Sequence, residues 1–165
     1  MARRLREQPS ISPWLRAFLR APIALYRVGL GPLLGRRFLL LHHKGRKTGA
    51  ARRTVLEVVD FDRPTNTYYV AVGFGRRSDW FRNLKHDPHA RIEIGLKKLD
   101  VIAHVLDVRE GAARMCSYAQ RNPKLARALA AFMGYEVDGS DADYAELPEL
   151  GLQFVALQAD AADHA

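Results

Sequence analysis

Short apolar segments separated by polar turns dominate the middle of the chain and predict β-strands. The predicted strands cover residues 38–42, 54–61, 67–74, 91–94, 99–108 and 153–157. The turn at 62–66 contains Asp, Pro and Asn, which favour chain reversal. The connections are too short for repeated helical crossovers. We therefore expect about six mainly antiparallel strands, closed into a small barrel.

The first 36 residues differ from the rest and predict a basic helix followed by a linker. Ser12 and Pro13 have the form of an N-cap with proline at the first helical position. Apolar residues then recur near every 3.6 positions, with arginines between them, until glycines end the pattern. Pro22 is expected to kink or divide this helix. The two expected units are the helix with its linker, 1–36, and a strand-rich domain, 37–165.

Three further segments carry helical signals. Residues 78–84 predict a short helix, and residues 109–132 predict a longer one that is broken at 122–123, where Asn precedes Pro. Ser140 and Asp143 have the spacing of a capping box for one last short turn of helix. The whole pattern predicts an α+β fold with helices flanking the barrel.

The composition narrows the class of protein. Of the 165 residues, 48% are hydrophobic and 27% are charged, which excludes a chain that is disordered throughout. A single cysteine, Cys116, excludes an intramolecular disulfide and a cysteine-based zinc cage. No apolar run approaches the ~20 residues that span a bilayer. The basic start lacks an uninterrupted apolar stretch and a cleavage pattern, so we expect a cytoplasmic protein.

Charge is unevenly distributed along the chain. The net charge of +8 arises from +11 over residues 1–59, +5 over 60–133 and −8 over 134–165. A uniform coat of charge for solubility would not segregate in this way. One interpretation is that the two ends fold together and neutralise each other. The other is a basic site for an anionic ligand.

The densest cationic segment, 44–53, lies between two predicted strands. It contains five Lys or Arg residues, two glycines and a threonine. Glycine lets backbone N–H groups approach a ligand closely, and arginine binds phosphate through two hydrogen bonds. These residue types favour an oxyanion site, although the spacing is not that of a Walker loop. The alternative is a solvated, charged hairpin turn.

A second glycine-containing segment, 73–80, ends a predicted strand and begins a predicted helix. A helix N-terminus favours anions, but no βαβ unit is present to support a dinucleotide fingerprint. Trp80 and the following Phe81 are expected in the core more than at a ligand.

The protein offers few reactive groups of its own. His42 and His43 are adjacent on a strand and point to opposite faces, so they do not easily share a metal, and we predict no metal site. Cys116 is expected to be a small packing residue on a helix. The sequence contains no nucleophile elbow. It therefore fits an enzyme whose cofactor supplies the chemistry, and equally a binding module.

Two motifs resemble those of the deazaflavin (coenzyme F420)-dependent nitroreductase and quinone reductase family. The first is G-R-K-T-G at 45–49, followed by Arg52, and the second is D-W-F-R-N-L at 79–84. The resemblance begins at about Leu25 and continues through 138–144 to the closing strand. It implies a split β-barrel oxidoreductase that transfers a hydride from reduced F420 to an electron-poor acceptor such as a quinone, a nitroaromatic or an activated alkene.

The same resemblance implies roles for individual residues. The basic turn would hold the phosphate and acidic tail of the cofactor through Arg46, Lys47, Thr48, Gly49 and Arg52. The deazaflavin ring would lie against Val72, Gly73, Phe74 and Gly75, with Trp80 and Asn83 in the supporting helix. The substrate pocket would be lined by Trp14, Phe18, Tyr135 and Tyr144. Tyr144 would either donate a proton or shape this pocket.

Several alternatives stay open. Related branches bind FMN, haem or fatty acid, so FMN is the alternative cofactor, and a non-catalytic lipid, flavin or haem binder is the alternative function. Nucleic acid is not expected as a partner, because the basic turn lacks interleaved aromatic residues for base stacking. The expected partner is a small-molecule hydride acceptor. The basic N-terminal helix would either cover the pocket or contact a membrane surface.

Overall fold

The computed structural model describes residues 1–4, 35–73 and 78–159. The helix expected within residues 1–36 lies outside this part, so the division of the chain into two units stays a prediction. The predicted site residues that also lie outside it are Trp14, Phe18, Phe74 and Gly75.

Six strands form a closed barrel in which every neighbouring pair is antiparallel. The strands of the described residues are β1 (Arg3–Arg4), β2 (Phe38–Lys44), β3 (Ala51–Asp62), β4 (Thr67–Val72), β5 (His89–Ile94), β6 (Lys97–Val105), β7 (Tyr135–Glu136) and β8 (Gln153–Ala159). The order around the barrel is β2-β3-β4-β8-β6-β5, and the short strands β1 and β7 pair separately. The predicted barrel of about six antiparallel strands is confirmed.

Helices flank the barrel as predicted. Those of the described residues are α1 (Asp79–His86), α2 (Val108–Arg121), α3 (Pro123–Phe132) and α4 (Asp141–Glu146). The predicted strand 99–108 was too long, because β6 ends at Val105. Asp107 accepts a hydrogen bond from the N–H of Glu110, whose side chain accepts one from the N–H of Asp107, and this capping box begins α2 at Val108. Within the described residues, no helix is long and apolar enough to cross a bilayer.

The barrel interior is one of the two hydrophobic cores that the described residues form. Leu39 and Leu41 are fully buried on the inward face of β2, as the period of two along a strand requires. Trp80, Phe81 and Leu84 project from α1 into the same interior. Each such buried side chain contributes about 1.5–3 kcal/mol relative to its exposed state. Burial of this apolar face therefore holds α1 against the barrel, beside the β2–β3 turn.

The second core lies between the outer face of the barrel and α2–α4. It includes Met115, Tyr118 and Tyr144 from the helices and Tyr69 and Phe154 from the strands. The Tyr118 hydroxyl donates to Glu57 over 2.9 Å. Burial, reinforced by the charge of Glu57, raises the pKa of Tyr118 far above its ordinary value, so its hydroxyl stays a donor.

The acidic final segment neutralises part of the basic start. The amino group of Met1 lies 2.5 Å from Asp143, and Arg3 lies 2.9 Å from Glu136. The first interpretation of the charge pattern therefore holds in part. These contacts involve neither the basic turn nor its arginines.

A buried carboxylate, Asp60, ties β3 to α2 next to a β-bulge. Asp60 is 9% exposed and accepts hydrogen bonds from Arg114 over 2.9 Å and from Arg121 over 2.8 Å. Burial raises the pKa of Asp60, but the hydrogen bonds from Arg114 and from the N–H of Phe61, with the charge of Arg121, outweigh it. The net result is a pKa below the ordinary value.

We expect Asp60→Asn to lower the free energy of unfolding by about 2–3 kcal/mol at pH 7, since it leaves two arginines without their carboxylate. Because the folded-state pKa is depressed, the stabilisation is present above the unfolded-state pKa of about 3.9 and is lost as pH falls through the folded-state pKa. Urea unfolding at pH 7 and at about pH 3 measures both effects. Asp100→Asn, at an exposed Arg91 pair, is the control. Equal losses for the two variants would contradict this role of Asp60.

Candidate anion-binding site at the mouth of the barrel

The basic turn between β2 and β3 has a defined backbone conformation. The N–H of Gly45 donates to Ala50 O over 2.8 Å, and the N–H of Gly49 donates to Gly45 O over 2.7 Å. Gly49 has a φ of 68°, a conformation that glycine adopts without steric cost. The Thr48 hydroxyl accepts from the N–H of Ala50 within the turn. No group in the described part of the chain accepts from the N–H of Lys47 or Thr48, so these two donors are available to an anion.

Arg46 anchors this turn to α1. Its main-chain N–H and its Nη1 lie 3.1 and 3.0 Å from Asn83 Oδ1. Its Nη1 also lies 2.9 Å from Asp79 Oδ1. The hydrogen bond and the charge of Arg46 hold the pKa of Asp79 below its ordinary value. Arg46 is therefore hydrogen-bonded within the protein, and its main role is to hold the turn against α1.

A cleft of about 540 Å³ lies between this turn and α1. Its lining residues are His43, Gly45, Arg46, Lys47, Thr48, Arg52, Arg53, Thr54, Asp79, Trp80 and Asn83. Four of them are cations and one is a carboxylate, which is already paired with Arg46. Its volume lies in the range of small-molecule sites, and its charge favours an anionic ligand.

The barrel register explains how the cleft is assembled. His43 pairs with Arg52, and Leu41 pairs with Thr54, across β2 and β3. Directly opposed residues share a face of the sheet, so these side chains continue the inward face of Leu41 to the mouth of the barrel. Trp80 reaches the same place from the first turn of α1, where it is both a core residue and part of the cleft wall.

The structure places the described residues that were expected near a cofactor ring in different surroundings. Val72 is 1% exposed and belongs to the barrel interior. Gly73 directly follows β4, and its carbonyl accepts a hydrogen bond from the Ser78 hydroxyl. Asn83 is 4% exposed, and its side chain is hydrogen-bonded to Arg46 and His43. Contacts of Val72, Gly73 and Asn83 with a cofactor ring stay predictions.

Tyr135 and Tyr144 lie in the second core and do not line this cleft. The Tyr135 hydroxyl donates to Leu150 O over 3.4 Å, and burial raises the pKa of Tyr135. Tyr144 is 1% exposed, and its buried hydroxyl has no hydrogen-bond partner among the described residues. A buried hydroxyl without a partner costs about 1–3 kcal/mol. A role of either tyrosine toward a substrate stays a prediction.

Sequence reasoning missed three residues of the cleft, which are His43, Thr54 and Asp79, whereas Arg53 lay within the cationic segment that was expected to bind an anion. The sequence argues against a metal-ligand role for His43, and alternation along β2 places it on the same inward face as Leu39 and Leu41. The cleft role of Asp79 depends on contact with a turn more than 30 residues away, which local spacing does not reveal.

Comparison with known proteins places this chain in a family. A sequence model described as F420H(2)-dependent quinone reductase matches residues 20–130. An F420H(2)-dependent quinone reductase of Mycobacterium tuberculosis is 34% identical in an alignment of 107 positions that covers 56% of this chain and 69% of that protein. The chain belongs to the F420H(2)-dependent quinone reductase family, and it is an F420-dependent oxidoreductase.

Solved structures share the fold at lower identity. An F420-H2 dependent reductase has a TM-score of 0.51 at 21% identity and covers 74% of this chain and 95% of its own. An FMN-binding protein of Nostoc punctiforme, related to pyridoxamine 5'-phosphate oxidase, has a TM-score of 0.53 at 15% identity. It covers 91% of this chain and 82% of its own. The expected split β-barrel fold is confirmed.

Proposed function

We propose that this protein transfers a hydride from reduced F420 to a quinone, and that the cleft beside the basic turn holds the phosphate and acidic tail of F420. The observation that carries the proposal is the set of cations at one edge of the cleft. Lys47, Arg52 and Arg53 form no ion pair with any acid in the described residues, whereas Arg46 is paired with Asp79.

The residues present fit an anionic cofactor. Lys47 and Arg52 supply charge, and the N–H groups of Lys47 and Thr48, which have no partner in the described residues, can donate hydrogen bonds to the ligand. The turn does not need to reorganise, because Arg46 and Asn83 already fix it to α1. When bound, reduced F420 supplies the hydride, and the protein supplies position and charge.

The chain's own contribution to the reaction is orientation and exclusion of water. Trp80 forms an apolar wall of the cleft, continuous with the barrel interior. Such a wall restricts the position of a planar ring and keeps solvent from one side of it. The role of Tyr144 in shaping the acceptor pocket is proposed from the family resemblance alone, since this residue lies in the second core.

Binding and turnover test the proposal directly. Oxidised F420 is titrated into the purified protein and followed by fluorescence, with FMN titrated in parallel. Oxidation of reduced F420 is then measured with a soluble quinone and with a nitroaromatic compound. We expect saturable binding of F420 and faster oxidation with the quinone. Preferential binding of FMN would support the alternative cofactor, and neither binding nor oxidation above background would overturn the proposal.

Asp79→Asn is expected to strengthen F420 binding by about 2- to 5-fold. The Asp79 side chain is 79% exposed at the rim of the cleft, and its removal makes the local potential more positive while Asn83 still holds Arg46. Fluorescence titration at low and high salt measures the effect, which should shrink as salt screens the charges. Asp100→Asn, which removes an exposed carboxylate on β6, is the matched control. A weaker affinity for Asp79→Asn would show that this carboxylate supports the turn more than it opposes the ligand.

A further inference from the structure

Arg46 fixes the orientation of the Asn83 side-chain amide. The main-chain N–H and Nη1 of Arg46 lie 3.1 and 3.0 Å from one amide atom of Asn83. Both groups of Arg46 can only donate, so the atom that they face must be the amide oxygen. The amide nitrogen of Asn83 is therefore the atom that lies 3.1 Å from His43 Nδ1.

Only one protonation state of His43 suits this contact. An amide nitrogen can only donate, so His43 Nδ1 must accept and carries no hydrogen. The ring is then neutral, with its hydrogen on Nε2. A protonated ring would set the Nδ1–H against the N–H of Asn83, two donors face to face.

The surroundings of His43 also favour the neutral ring. Burial is the largest cause that lowers the pKa of His43, which is 8% exposed, and the charges of Arg52 and His42 lower it further. A hydrogen bond to the Lys44 backbone and the charge of Asp79 act in the opposite direction. The net pKa is below the ordinary value, so the ring is neutral near pH 7.

His43 occupies a place where a ligand can meet it. It lines the cleft and lies directly across the β2–β3 ladder from Arg52. Nδ1 is occupied by Asn83, so Nε2–H is the remaining ring donor, and a ligand in the cleft would compete with the Lys44 backbone for it. This donor carries no charge, in contrast to Lys47 and Arg52 around it.

We propose that His43 binds an anionic oxygen of the ligand through its Nε2–H, and that Asn83 sets this tautomer. A single directional hydrogen bond adds orientation that mobile cations on long side chains do not supply. In the case of F420, this inference rests on the function proposed above. Free phosphate presents the same oxygen chemistry and provides an independent probe.

Two substitutions test the roles of the two ring nitrogens of His43 separately. The amide of an asparagine at position 43 reaches the place of Nδ1, whereas that of a glutamine reaches the place of Nε2. His43→Asn should keep an acceptor for Asn83, and hence the melting temperature, while it weakens binding of F420 and of inorganic phosphate by about 5- to 30-fold. His43→Gln should bind both ligands nearly as wild type, at a lower melting temperature. Wild-type affinity in His43→Asn for both ligands would overturn the proposal.

The tautomer is measured directly by ¹⁵N NMR of the imidazole ring. We expect the hydrogen on Nε2 at neutral pH, and a shift of the Nε2 resonance when F420 or inorganic phosphate is added. In Asn83→Asp the carboxylate can only accept, so the hydrogen should move to Nδ1 or the ring should become protonated. A hydrogen on Nδ1 of the wild-type ring would overturn the proposal.

The two ligands distinguish failure of this inference from failure of the proposed function. If wild type binds phosphate but not F420, the proposed function fails, and the role of His43 is decided by the phosphate titrations of His43→Asn and His43→Gln. If wild type binds F420 and His43→Asn binds it equally well, the inference fails and the proposed function stands. Binding of neither ligand would overturn both.

Discussion

Replacing either Lys47 or Arg52 with alanine is expected to weaken F420 binding by about 10- to 150-fold. Each side chain is exposed at the cleft and has no acidic partner in the described part of the chain. Each therefore can give its full charge-assisted hydrogen bond to the ligand, which corresponds to about 1.5–3 kcal/mol. The melting temperature should change little, because neither residue holds the fold together.

Fluorescence titration of the two variants measures this loss, and two controls define its cause. Lys97→Ala removes an equal charge at the β5–β6 turn and should bind F420 as wild type, apart from a small salt-dependent change. An F420 fragment without phosphate and tail should lose far less affinity in Lys47→Ala and Arg52→Ala. If the two variants lost equal affinity for the complete cofactor and for the fragment, Lys47 and Arg52 would not be the residues that bind the anionic tail.

Arg46 should behave differently from these two residues. Its guanidinium is held by Asn83 and Asp79, so Arg46→Ala removes the anchor of the turn as well as a charge. A loss of affinity in Arg46→Ala is therefore expected together with a lower melting temperature. The contrast between Arg46 and Lys47 separates support of the turn from direct binding.

Tyr144→Ala is expected to lower the free energy of unfolding by about 3–5 kcal/mol, because it leaves a large cavity in the core between the helices and the barrel. Tyr144→Phe keeps the ring and removes a hydroxyl that has no partner in the described residues. Its free energy of unfolding should stay the same or rise by about 1 kcal/mol. Urea unfolding of both variants measures the two effects.

Turnover decides whether the Tyr144 hydroxyl takes part in the reaction. If Tyr144 shapes the acceptor pocket, Tyr144→Phe should be nearly silent, and Tyr144→Ala should mainly raise the KM for the quinone. If the hydroxyl donates a proton, kcat should fall by about 10²- to 10⁴-fold while F420 affinity is unchanged. We expect the first result, because a reduced quinone can take its proton from water. A kcat loss above hundredfold in a folded Tyr144→Phe protein would contradict it.

The sequence by itself predicted the six barrel strands and the four helices of the described residues, but not the short strands β1 and β7. A continuous apolar run predicted β2, and the proline at 123 predicted the break between two helices. The glycine-rich cationic segment after β2 indicated an anion site, because glycine and clustered positive charge are local properties of the chain. Local signals also marked the short connections that favour an antiparallel barrel.

Only the tertiary structure decided which polar residues of the turn are hydrogen-bonded within the protein and which are available to a ligand. Arg46 and Lys47 are neighbours in sequence, yet Arg46 meets Asn83 and Asp79 while Lys47 lines the cleft. The contact of Asn83 with His43 spans 40 residues. It exists because closure of the barrel and burial of the apolar face of α1 bring these segments together. The spacing of residues along the chain does not indicate such a contact. The protonation state of His43 and the different roles of the cations are therefore properties of the folded barrel.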